Sequence, residues 1–216
     1  MGKKNYLSLG MYLIKTPFLL SAFYANCVWK KPTTEKVIYL SFDDGPHPKA
    51  TPFVLEQLKN FNAKASFFCI GKNVALYPSI LEQIKREGHT IGNHTMHHLN
   101  GWKTDDEYYL NDIKVARTLL DTNFFRPPYG RVKKSQIKKI QADPFLPHQI
   151  IMWDVLSGDF DTKISGEQCL KNVLDNTEPG SIIVFHDSDK AWERMHFALP
   201  KVLAHFREQG YRFDAL

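Results

Sequence analysis

A chain of 216 residues, 43% hydrophobic and 24% charged, is long enough for one large globular domain. Its apolar content excludes disordered, collagen-like and disulfide-scaffold classes. The net charge of +5 lies wholly in residues 1–36, where six lysines face Glu35 alone. The remaining 180 residues carry 22 groups of each sign, so a basic nucleic-acid footprint cannot describe the folded body.

Residues 1–36 read as a basic, partly apolar extension. Lys3 and Lys4 resemble the charged start of a signal peptide, and Pro17–Ala25 is a short apolar stretch. Lys15, Pro17, Lys30 and Lys31 interrupt or flank that stretch, which is well short of the ~20 apolar residues that span a bilayer. A docked extension is the first expectation, an interfacial anchor the second and a signal peptide the third. Met11 is a candidate alternative start. The expected location is accordingly cytoplasmic or membrane-peripheral rather than secreted. Cys27, Cys69 and Cys169 are odd in number and form no CxxC, which gives neither a disulfide framework nor a thiolate zinc site.

From residue 37 short apolar runs alternate with amphipathic stretches. Val37–Phe42 predicts a buried strand, 51–61 a helix, and 65–70 a second strand. A helix over 78–87 stops at Gly88, and 90–93 is a brief strand. Residues 104–120 predict a longer helix capped by Thr104, with Glu107 completing a capping box. A strand end at 124–126, a basic helix over 133–141 and a strand over 149–153 follow. Then come a helix over 166–176, a strand over 181–185, a long helix over 191–209 and a last strand at 211–213. This alternation predicts an α/β fold, a distorted (β/α) barrel of about seven parallel strands.

Polar clusters follow five of these strands, where a parallel barrel gathers its active site. Asp43 and Asp44 stand at the first strand end: one carboxylate can ligate a metal while the other acts as a general base. Alone, the run Asp-Gly-Pro reads first as a turn. His94 and His98, four residues apart, complete with Asp44 a two-histidine, one-carboxylate set of the kind zinc favours. Arg126 lies in a segment stiffened by Pro127 and Pro128, where it can orient a catalytic carboxylate; the Tyr129 N–H shares that segment. The fourth cluster, WDVLSGDF at 153–160, offers carboxylates and pocket-lining Trp153 and Phe160. The fifth brings His186 to the end of an apolar strand through Val184, and a His paired with a carboxylate there can act as an acid.

In this order FDDGP (42–46), HTMHH (94–98), RPPYG (126–130), WDVLSGDF (153–160) and VFHD (184–187) resemble the motifs of the polysaccharide deacetylase family, the NodB-type carbohydrate esterases. The resemblance spans most of residues 37–216, the expected catalytic domain. It implies hydrolysis of acetyl groups, N-acetyl first, on a chitin-like or peptidoglycan glycan, with a divalent metal, zinc foremost. Asp44, His94 and His98 would hold the metal, Asp43 would be the base and Arg126 its partner. His186 would be the acid and Asp159 its partner, and the Tyr129 N–H would face the oxyanion. Trp153, Phe160 and Val184 would line the substrate pocket. Phe160 stands where many members carry Trp, and His97 has no family role.

Other readings remain at this point. A carboxylate pair such as Asp43 with Asp159 could serve glycoside hydrolysis. The fold could instead be an inactive carbohydrate-binding scaffold or an O-acetyl esterase. The expected partner is an acetylated carbohydrate and not a nucleic acid, with residues 1–36 as a contact to membrane or cell wall.

Overall fold

Strands buried on both faces and joined by helices assemble as a parallel sheet. The computed structural model describes residues 12–216; Lys3, Lys4 and Met11, invoked for a signal or an alternative start, lie outside them. The first half runs α1 (Phe18–Phe23), β1 (Val37–Asp43), α2 (Ala50–Asn60), β2 (Ala65–Cys69), α3 (Gly71–Leu76), α4 (Pro78–Arg86) and β3 (Thr90–Asn93). The second runs α5 (Asp106–Arg117), β4 (Phe124–Phe125), α6 (Lys134–Ala142), β5 (Gln149–Ile150), β6 (Val155–Leu156), α7 (Gly166–Leu174), β7 (Ile182–His186), α8 (Trp192–Glu208) and β8 (Arg212–Phe213).

The sheet order is β5-β4-β3-β2-β1-β7-β6, with β8 added to β1, and every strand pair is parallel. This is the curled half-barrel that the alternation predicts. Leu40, Phe42, Phe67 and Phe185 pack with Val54, Leu55, Leu199 and Val202 of α2 and α8 into the main core. Register puts Asp43 beside His186, and Asn93 beside Phe125, so the C-terminal ends of β1, β3, β4 and β7 lie together.

Two expectations need correction. Asp105, not Thr104, caps α5: its side chain accepts from the N–H groups of Glu107 and Tyr108 at 2.8 and 3.4 Å. Thr104 turns its hydroxyl back to the Asn100 carbonyl at 2.8 Å instead. The expected strand over 149–153 is also two strands. β5 ends at Ile150, the chain crosses the mouth of the sheet, and β6 pairs with β7 at the far edge.

The gap between those two edges is filled by the chain ahead of β1. Leu156 N–H donates to the Ile14 carbonyl at 2.8 Å, and Thr16 N–H to that of Asp154 at 2.9 Å. Val28 bonds to β5 and the chain just after it, its N–H donating to the Ile150 carbonyl at 2.8 Å and its carbonyl accepting from Met152 N–H at 2.7 Å. Buried Lys15 pins this strap, donating to Asp154 at 2.6 Å and to the Asn176 carbonyl at 2.9 Å.

Candidate active site

The adjacent carboxylates Asp43 and Asp44 diverge because the backbone reverses between them. Asp43 ends β1 in extended geometry, whereas Asp44 takes φ 81°, in the left-handed region. Gly45 follows because no side chain fits there: a Cβ would fall 2.1 Å from an Asp187 carboxylate oxygen. That carboxyl accepts from Gly45 N–H at 3.0 Å and contacts the Thr51 hydroxyl, and burial pushes its pKa up to about 8.

Ligand atoms of Asp44, His94 and His98 lie within 4.8 Å of one another. His94 is fully enclosed; its Nδ1–H donates to the Arg126 carbonyl at 2.7 Å, which turns the Nε2 lone pair toward Asp44, 3.8 Å away. Burial lowers its pKa to about 4, so the imidazole is neutral and available as a ligand. His98, at φ 57°, brings Nε2 to 3.1 Å from Asp44 Oδ1. That oxygen is buried and yet accepts no well-aligned hydrogen bond. Burial works against the Asp44 charge, but the imidazoles of His98, His186 and His94 outweigh it and hold its pKa well below the usual range. An orphaned carboxylate oxygen facing two imidazole nitrogens fits a divalent cation.

Asp43 is buried beside this set. Arg126 Nη1 donates to its Oδ1 at 2.7 Å and to the Ser41 hydroxyl at 2.8 Å. The same guanidinium donates to the carbonyls of Ile151 and Met152 at 3.2 and 3.0 Å. Fully buried and bonded on all sides, it fixes the carboxylate and leaves Oδ2 for the cleft.

His186, at the end of β7, donates from Nδ1 to Asp159 Oδ1 at 2.7 Å, while its backbone N–H donates to Oδ2 at 2.7 Å. Burial disfavours the imidazolium, but the Asp159 charge and hydrogen bond prevail, with help from Asp44 and Asp43, and raise its pKa to about 9. Its Nε2 is the atom left for a substrate.

Tyr129 takes φ 61° and rests its exposed ring against His98 at 4.6 Å. Asp43, Asp44, His94, His98, Tyr129, Trp153, Phe160, Val184 and His186 all line one cleft of about 750 Å³, while Arg126 and Asp159 stand behind it. Phe160 packs edge-on to His186 at 5.3 Å and against Tyr12 of the strap at 5.0 Å.

Sequence reading missed three supports. Ser41 shares the Arg126 guanidinium, and Asp187 braces the turn at Gly45. Asp112 of α5 accepts from the N–H groups of Met96 and His97 at 2.9 and 3.0 Å and binds the His97 ring at 2.6 Å. His97 thereby has a place, as an anchor of the ligand loop outside the ion site. A lone Asp on a helix carries no local motif, so nothing in the sequence could have singled out Asp112.

A sequence profile of the polysaccharide deacetylase family matches residues 30–145. A peptidoglycan-N-acetylglucosamine deacetylase of Bacillus cereus is 35% identical over 191 residues, covering 86% of this chain and 88% of the relative. A chitooligosaccharide deacetylase of Azorhizobium caulinodans is 37% identical over 157 residues, 69% of this chain and 73% of that one. The crystal structure of the Bc1960 peptidoglycan N-acetylglucosamine deacetylase superposes with a TM-score of 0.82 at 32% identity, covering 93% and 95% of the two chains. Profile, relatives and fold agree with the motifs at the strand ends: the chain belongs to the polysaccharide deacetylase family.

Proposed function

We propose that the protein is a metal-dependent carbohydrate deacetylase that cleaves the N-acetyl group of N-acetylglucosamine in peptidoglycan or a chitin-like glycan. The observation that carries this reading is the placement of three units in one cleft. These are the Asp44–His94–His98 ligand set, the Asp43–Arg126 pair and the His186–Asp159 pair. An inactive scaffold has no need of all three.

The ligand set takes a divalent ion, zinc by the preference of two imidazoles and one carboxylate, and when bound that ion supplies Lewis-acid polarisation of the acetyl carbonyl. Asp43, its Oδ1 held by Arg126, takes a proton from the attacking water at Oδ2. The Tyr129 N–H stabilises the oxyanion of the tetrahedral intermediate. His186, kept protonated by Asp159, delivers a proton from Nε2 to the departing nitrogen, which an amide requires because its anion leaves poorly. Trp153, Phe160 and Val184 enclose the acetyl methyl.

Acetate release from N-acetylglucosamine oligomers and from peptidoglycan, with and without chelator, tests the reading. Release that chelator abolishes and added zinc restores is the expected result. Chelator-resistant cleavage of glycosidic bonds without acetate would replace it with a glycosidase.

Residues 1–36 further serve as a peripheral membrane contact. Phe18, Leu19 and Phe23 of α1 are 81%, 80% and 62% exposed, and the whole net charge resides in this end of the chain. No described helix is long and apolar enough to cross a membrane. Sedimentation with anionic vesicles, and its loss in Phe18→Ser/Leu19→Ser, is the expected behaviour.

A further inference from the structure

The strap that closes the barrel also enters the cleft. Tyr12, Leu13, Thr16, Leu20, Tyr24 and Trp29 line the same cavity as the ligand set and His186. Leu20 and Tyr24 are four residues apart, so they share one face of α1 and its end, and that face looks into the cavity. Trp29 donates from its ring N–H to the Tyr24 carbonyl at 3.1 Å, and Lys15 anchors the segment from beneath. Nearest the reacting groups, the Tyr12 hydroxyl donates to Asp161 at 2.9 Å and the ring covers Phe160. At about 750 Å³ the cavity is in the upper part of the ~300–1,000 Å³ range of ligand sites, more room than one acetamido group needs.

Pyranose rings present apolar C–H faces, and aromatic and aliphatic side chains beside a polar pit suit them. We propose that the strap is a glycan-binding wall: Leu20, Tyr24 and Trp29 hold the sugar that neighbours the one being deacetylated. The enzyme thereby selects chains over short fragments. The wall rests on the deacetylase reading for its occupant, and its continuity with the catalytic pit argues for a glycan rather than an unrelated ligand.

The test compares the intact protein with Leu20→Ala/Tyr24→Ala on N-acetylglucosamine oligomers from dimer to hexamer. Acetate release gives kcat and KM, and calorimetry gives hexamer affinity. For the wild type kcat/KM should climb with length. In the variant the hexamer-to-dimer ratio should fall on the order of tenfold, mainly through KM, with hexamer affinity weakened by a similar factor and an unchanged thermal midpoint. An unchanged length profile and affinity overturns the wall, as does an equal loss at every length with a lowered midpoint. If the wild type binds hexamer but releases no acetate, the deacetylase reading fails separately. The wall then stands if the variant binds hexamer more weakly and falls if it binds equally.

Discussion

Asp159 engages both the ring and the backbone of His186, so the proton available for catalysis depends on a residue behind the cleft. The folded His186 pKa is raised to about 9, so the acid form persists through neutral pH and is lost as pH climbs through that value. The alkaline limb of kcat/KM should therefore fall near pH 9. In Asp159→Asn burial is opposed only by the Asp44 and Asp43 charges, and the limb should move down by about one pH unit or more. Asp43→Asn should lower kcat by about 10²–10⁴ and leave metal content intact, which acetate release and metal analysis would check together. His94→Ala should instead lose the ion. These residues were legible in the sequence because each ends a strand or follows one within a distinctive motif. Ser41, Asp112 and Asp187 act only through contacts made by distant segments, which spacing along the chain does not encode.

Among the elements, the continuous apolar runs of β1, β2 and β7 and the amphipathic pattern of α8 are legible directly in the sequence. The short β3, β4 and β8 were also legible, but β6 was not: it has two residues and exists because β7 and the strap lie on either side of it. α3 follows β2 with only Ile70 between them, and its Gly71 packs against Met96, a pairing that no local signal announces. The strap itself is held by the Lys15–Asp154 pair, both side chains 9% exposed. Lys15→Met should leave Asp154 with Ser181 alone among its side-chain partners, at a cost of about 3–5 kcal/mol. Thermal unfolding and faster proteolysis within residues 12–30 would register it.

Across the whole molecule, falling pH should act on the buried imidazoles of His89 and His94, both held well below the ordinary imidazole value. His89 accepts from Ala65 N–H at 3.3 Å, and burial, aided by Lys64, lowers its pKa to about 4. A depressed folded value means its contribution is complete above the ordinary imidazole pKa of about 6.5 and is lost as pH falls toward 4. His89→Gln, which retains an acceptor, should flatten the decline of thermal midpoint with pH over that interval. A decline as steep as in the wild type would assign it to other groups.

The hydrogen bonds that Ile14, Thr16 and Val28 make to β5 and β6 have a consequence for solubility. An open parallel sheet exposes unpaired N–H and C=O groups on both outer strands, ready templates for another chain. Here residues 14–16 and 28 occupy those groups. Starting the protein at residue 37, the first residue of β1, would uncover both borders at once. The shortened chain is expected to self-associate through strand pairing even though every ligand and catalytic side chain is present, and light scattering would reveal it.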